Sequence, residues 1–266
     1  MNTQVREFFQ VDGIKKSHFQ AVRFLSEEKA LDWTDAEKMG LSRGWFELSR
    51  VSIEDRIEFL KVFWLKNLSF HPKASLAIER FFERLDDIVV LVCRQTVEDP
   101  WRVEIVYSMA DNSTFFRGLS PANEDDISTI KKNLGVDLPS DFWAFSKIHN
   151  GFGRLSELGL MPIEDLEGTR KRLISSMLRS EKPLRMGELK VDLDSLFPFY
   201  EEFGLASFQC FNAQWYPENE MGNVHFSGID YTLSDTLERG EWPDNLAFPT
   251  FLDWLAAFLE GMNSCI

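Results

Sequence analysis

Four histidines, three cysteines and several close carboxylate pairs are the residues of this 266-residue chain whose types could do chemistry. His18, His71, His149 and His225 lie far apart, and none stands in an HExxH or Cys/His spacing, so zinc-assisted hydrolysis has no motif to rest on. His149 falls at the end of a helical stretch, where a donor suits free carbonyls. His225, in "GNVHFSG", alternates with Val224 and Phe226 and reads as a strand residue facing outward or into a satisfied pocket. Cys93, Cys210 and Cys265 share no close spacing, which argues against a disulfide framework and fits a reducing cytoplasm. Cys210, in "FQCFN", sits in an apolar strand and reads as inert. No G-x-S-x-G elbow or Ser/His/Asp trio can be assembled at a usual spacing. "GFGRLSELG" contains a Gly-x-Gly, but no strand-to-helix junction or Lys-Ser/Thr follows it. The pairs Asp192/Asp194, Glu201/Glu202 and Glu218/Glu220 would need one member in an apolar pocket to separate their pKa values. Their polar, turn-rich context predicts solvated side chains instead. Catalytic, cofactor and metal sites are therefore not expected.

As a binding surface the carboxylates make better sense. The formal net charge is −14, and it is unevenly spread. Residues 1–120 hold 17 basic and 19 acidic residues, residues 121–190 hold 11 of each, and residues 191–266 hold 13 acidic residues against the single basic Arg239. Such a face repels nucleic-acid backbones and membrane surfaces and attracts a basic protein. Asp230, Asp235, Glu238, Glu241 and Asp244 cluster in "DYTLSDTLERGEWPD" around Tyr231 and Trp242. Charges around an aromatic anchor give fast encounter and a desolvated centre. The competing reading is a solvated acidic loop beside a core tryptophan.

The elements that must position these residues are legible in the periodicity. With 44% hydrophobic residues there is ample area for a packed core. "VSIEDRIEFLKVFWLKNL" puts Ile53, Ile57, Leu60 and Trp64 on one helical face, capped by Ser52, and "HPKASLAIERFFERLDD" does the same with Ile78, Phe81, Phe82 and Leu85. "DIVVLVCRQTVEDPWRVEIVYS" predicts a β-hairpin turning at Glu98-Asp99-Pro100. The polar "DNSTFFRGLSPANEDD" reads as a turn-rich passage, with a boundary near Leu119 to Asn123, dividing an extension (1–120) from a second domain (121–266). Asn123 then caps a helix ending at Leu134-Gly135. Leu138-Pro139 makes an extended link, and a second helix carries Phe142, Phe145 and His149 on one face before Asn150-Gly151 stops it. Short strands follow, with a helix across Thr169 to Leu178 among them. The closing helix, "FPTFLDWLAAFLEGM", is capped by Thr250 and stopped by Gly261. The order predicts an α+β class with a mainly antiparallel sheet and flanking helices. The charged N-terminal stretch does not read as a secretory signal, and no stretch approaches the roughly 18 apolar residues of a membrane span.

The run "ISTIKKNLGVDLPSDFWAFSKIHNGFG" resembles the opening of the SUKH superfamily, which includes yeast cell-wall-assembly regulators and bacterial immunity proteins. The residues that carry the resemblance are Leu134, Gly135, Leu138, Pro139, Phe142, Phe145, Asn150 and Gly151. "LMPIEDL", "LFPFYEEFGLASFQCF", "GNVHFSG" and the closing helix follow in the family's order, so the likeness covers about residues 121–262. Two positions depart from it: Lys131 stands where members often carry Glu, and Asn-Gly-Gly becomes Asn150-Gly151-Phe152-Gly153. The resemblance implies a SUKH-like fold and a non-enzymatic role: neutralising a toxin, often a nuclease, or acting as a regulatory scaffold. A hydrolase would need a deep cleft where several carboxylates meet a histidine.

Overall fold

The computed structural model describes residues 1, 3–9, 19–111, 114–155, 159–179, 184–186, 189–202, 204–229, 231–234 and 246–261. Its first half runs α1 (Thr3–Phe9), β1 (Ala21–Phe24), α2 (Trp33–Lys38), α3 (Arg43–Leu48), α4 (Ile53–Asn67), α5 (Pro72–Glu83), β2 (Leu85–Arg94), β3 (Arg102–Met109) and β4 (Phe115–Leu119). The second runs α6 (Glu124–Leu134), α7 (Ser140–Ser146), β5 (Phe152–Arg154), α8 (Leu166–Arg179), β6 (Arg185–Met186), β7 (Leu189–Lys190), β8 (Leu196–Glu202), β9 (Ser207–Asn212), β10 (Asn223–Ser227), β11 (Thr232–Leu233) and α9 (Phe251–Glu260). The class is α+β with antiparallel sheets, as the periodicity predicts.

Helix starts follow local chemistry. The Ser52 hydroxyl accepts from the Asp55 amide at 3.1 Å, Asn123 Oδ1 from the Asp126 amide at 2.7 Å, and the Thr250 hydroxyl from the Asp253 amide at 3.0 Å. Pro72 occupies the first turn of α5, and the cap before it is His71, whose Nδ1 accepts from the Ala74 amide at 3.3 Å.

The predicted hairpin is β2–β3, in register from Ile88↔Tyr107 to Cys93↔Arg102. The passage read as turns differs. Phe115–Leu119 forms β4, pairing β3 on one side and β5 on the other, because Phe115 and Phe116 are needed on opposite buried faces. The order β1-β2-β3-β4-β5 makes one five-stranded sheet, and β11-β10-β9-β8 a four-stranded one. β4 pairs with β5, and Leu160 bridges Phe152 of the first sheet to Tyr200 of the second, so backbone pairing is continuous across residues 119–121. One hydrophobic core likewise runs from Leu25 to Leu259. Trp64 of α4 meets Phe81, Tyr107, Phe145 and Phe152 with ring centroids 5.2–5.9 Å apart. In the second half, Phe142, Phe199, Phe211, Phe251 and Trp254 form the matching aromatic layer.

The other face of the β2–β3 hairpin is covered too. Val5, Phe9, Phe19, Phe24, Val89, Leu91, Cys93, Val106 and Phe115 make a second buried cluster. Glu104, which alternation would place in water, is buried there and accepts from Arg117 Nε and Nη2 at 2.7 and 2.9 Å and pairs with Arg102 at 2.7 Å. Burial opposes that charge, yet the two guanidiniums hold the Glu104 carboxyl below its ordinary range. Arg117 also lies 4.9 Å over the Phe8 ring and 5.6 Å over Phe9, pinning α1 to the sheet. Burial and Glu104 push the Cys93 thiol up to about 12, and burial raises Cys210 as well, so both are poor nucleophiles at neutral pH.

Candidate interaction surface

The Leu-Gly, Leu-Pro and Asn-Gly residues build the frame on which any surface is held. Gly135 closes α6, and the half-buried Lys131 lies 5.2 Å over the Trp143 ring and 3.8 Å from Asp137. Leu138, Phe142 and Phe145 are buried, and the Leu138 carbonyl accepts from Trp143 Nε1 at 3.2 Å, with Pro139 as the residue before α7. Asn150 Oδ1 accepts from the Ile163 amide at 2.8 Å and its Nδ2 donates to Glu164 at 2.8 Å, so the amide side chain closes the loop after β5. Gly151 has φ +103°, and a Cβ there would lie 3.1 Å from Leu119 and 3.2 Å from Pro162. The left-handed backbone favours glycine, and a Cβ would also press on both neighbours by a few tenths of an ångström. Asn-Gly thus joins three chain segments and carries no reactive group.

His149 is buried and structural. A carbonyl can only accept, so its Nδ1 carries the proton donated to Leu119 at 3.1 Å. Nε2 then accepts from the Tyr107 hydroxyl at 2.6 Å, whose oxygen accepts from Trp64 Nε1 at 3.2 Å. Burial holds this imidazole down at about 4. The expected helix-end donor is present, but it serves a β4 carbonyl. The chain of three links α4, β3 and the turn after α7. His225 is half-buried, with its pKa lowered by burial, beside a cavity of about 10 Å³ lined by Tyr200, Gln209 and Trp254. His18 lies outside the described residues.

Of the predicted acidic segment, Asp230, Asp235, Glu238, Glu241, Trp242 and Asp244 lie outside the described residues. Tyr231 is described. Its hydroxyl donates to the Met177 carbonyl of α8 at 2.6 Å and its ring meets Phe226 edge-on at 5.7 Å, leaving the half-buried ring as the part a partner could touch.

A second acidic convergence was not anticipated. Asp141 on α7, Asp253 on α9 and Glu220 on the β9–β10 loop approach one another beside the α4–α5 loop. Asp141 is buried and accepts from the Ser69 amide at 2.9 Å. Asp253 is buried, accepts from the Thr250 hydroxyl at 2.9 Å, and lies 3.4 Å from Lys73 Nζ and 3.6 Å from His71 Nε2. Glu218 is exposed, as expected of a solvated carboxylate, but Glu220 is half-buried. Desolvation, then the charges of Asp141, Asp253 and Glu218, push Glu220 up to about 7. Two exposed aromatics flank the group: Phe70, next to Ser69 and 85% exposed, and Tyr216, on the Glu220 loop and 52% exposed. The sequence marks Thr250 as a helix cap. Nothing local reveals that a loop from the first half docks onto Asp141. The histidine here does not suit acid–base work, since Nδ1 is spent on the α5 cap and the nearest carboxylate on the α9 cap. Among the described residues, no three His, Cys, Asp or Glu side chains are arranged to hold a metal ion.

The described residues thus form an antiparallel α+β frame with acidic and aromatic side chains at its surface. Residues 121–257 match the SMI1 / KNR4 family (SUKH-1), and the chain belongs to that family. Its members are generally non-enzymatic immunity or regulatory proteins. No curated protein matches the chain. Among the described residues, no helix is long and apolar enough to cross a membrane.

Proposed function

We propose that this protein is an immunity-type inhibitor that covers a basic protein partner, in particular a nuclease toxin, with an acidic face. The observation that carries the reading is the concentration of 13 acidic residues against one basic residue in residues 191–266 of a SUKH-1 protein. A toxin that binds phosphates must be basic, so an inhibitor can imitate the charge it seeks. Asp230, Tyr231, Asp235, Glu238, Glu241, Trp242 and Asp244 form the centre of the proposed surface. The exposed Glu218, with Phe70 and Tyr216 exposed nearby, offers a smaller combination of charge and aromatic anchor.

The test uses the whole chain, immobilised, and extract of its native host at about 50 and about 200 mM salt, a range over which phosphate-like electrostatic contacts weaken steeply. The expected outcome is a basic protein held at the lower salt, lost with the triple variant D235K/E238K/E241K, and inhibited in its nuclease activity by the wild-type chain. Retention indifferent to the three reversals, or a set of partners with no basic member, overturns the proposal. Several partners without enzymatic activity would instead favour the regulatory-scaffold reading.

A further inference from the structure

Helix α4 has two faces. Leu60 and Trp64 on the inner one are buried in the core. On the outer one Asp55, Phe59, Val62 and Lys66 follow at spacings of four, three and four residues, the spacing of a coiled-coil seam. Phe59 is 57% exposed and Val62 36% exposed. Phe63 sits beside them, its ring stacked on Phe59 at 6.1 Å and 9°. Phe63 also packs against the core, while Phe59 and Val62 remain exposed.

Charge along this helix has a direction. Glu54, Asp55 and Glu58 lie in its first half, and Lys61 and Lys66 in its second. The remaining cation, Arg56, is turned inward onto Asp87 at 2.9 Å. A seam that is acidic at one end, aromatic in the middle and basic at the other complements itself when a second copy lies antiparallel. About a two-fold axis between Leu60 and Lys61, Asp55 of each copy faces Lys66 of the other, and Phe59 faces Val62. Each pair occurs twice, as an isologous contact requires. Opposed helix dipoles favour the same arrangement. A uniformly basic partner would meet Lys61 and Lys66 in this seam, and a uniformly acidic one Glu54, Asp55 and Glu58. The mixed sign therefore selects a second copy of the chain.

We infer that the protein pairs with itself through the outer face of α4. Fifteen residues of helix span about 22 Å. The contact is thus at the small end of protein interfaces, and the dimer should be reversible at about micromolar concentration.

Sedimentation of the full chain from about 1 to about 200 μM tests the inference across the range expected for a small interface. The expected result is a concentration-dependent rise from one chain to two. Phe59→Asp should abolish it, and Asp55→Lys or Lys66→Glu alone should each weaken it about tenfold or more, since both copies of the pair become repulsive. An equimolar mixture of the Asp55→Lys and Lys66→Glu proteins should recover the dimer, because their heterodimer restores both ion pairs. These positions are exposed, and thermal melts of each variant check that folding is intact, in particular for Asp55→Lys, which loses a contact to the Ser52 hydroxyl. A single-chain mass at every concentration overturns the inference. So does a dimer that survives Phe59→Asp, or a mixture of the two charge variants that stays monomeric.

Discussion

Glu220 and His149 are displaced from their ordinary titration in opposite directions, with the loss of water around them the largest cause for both and neighbouring carboxylates adding to it at Glu220. His149 is held down at about 4, so the folded state resists its protonation, and stability is lost as pH falls from about 6.5 towards 4. Complete conversion corresponds to roughly 3 kcal/mol. Glu220 is pushed up to about 7 from 4.5, so the fold favours its neutral form. Its contribution is present below about 4.5 and is lost as pH rises through 7. Glu220→Gln should therefore melt at a higher temperature than the wild type at about pH 8, with the difference shrinking towards pH 5. Paired thermal melts at the two values check this. A variant less stable than wild type at the higher pH would show that Asp141, Asp253 and Glu218 do not press on Glu220. The sequence places Glu218 and Glu220 in a polar turn, and for Glu218 that suffices. For Glu220 it does not, because its neighbours stand on α7 and α9, far away along the chain.

At the scale of elements, β4 fits closely against His149, three residues past the end of α7. A Cβ on Gly118 would meet His149 Nδ1 at 2.3 Å, and the ring cannot retreat without breaking its bonds to Leu119 and Tyr107. Gly118→Ala should cost about 2 kcal/mol or more, from overpacking together with a buried polar group left unpaired. Denaturant unfolding at neutral pH measures it, and a variant within about 0.5 kcal/mol of wild type would mean the strand shifts freely. Helices α4 to α7 and α9 are legible in the sequence because caps, stops and apolar stripes act within a few residues. The strand β4 is not legible, because its five residues alternate around a glycine whose purpose is the histidine. Glu104 misleads for a related reason: alternation assigns it to water, and only α1 and the loop strand β1 turn that side of the hairpin into an interior.

The whole molecule is held by pairing and packing that cross the middle of the chain. Gly118 pairs with Phe152, Leu160 links the two larger sheets, and α5 lies against α9 with Arg80 bonded to Glu260 at 3.1 Å. The family match begins at residue 121, yet β5 lies within that match and takes its strand partner from β4, outside it. A fragment of residues 121–266 would expose Phe145 and Phe152, which Trp64 covers in the whole chain. It is expected to lack a cooperative thermal transition by calorimetry and to bind a dye for exposed apolar surface. A sharp transition near that of the full chain would establish that the second half folds alone.

By itself the sequence determined the α+β class, the ends of the main helices and the Leu-Gly, Leu-Pro and Asn-Gly frame, because these depend on backbone conformation and side chains a few residues apart. It also determined where the negative charge is concentrated, since composition needs no fold. Only the tertiary structure decided which carboxylates share a site, which histidine is spent on packing, and that the first half completes the sheet of the second. Those outcomes rest on desolvation and close approach between segments far apart along the chain, such as Lys73 with Asp253 or Arg80 with Glu260, and no local pattern records them.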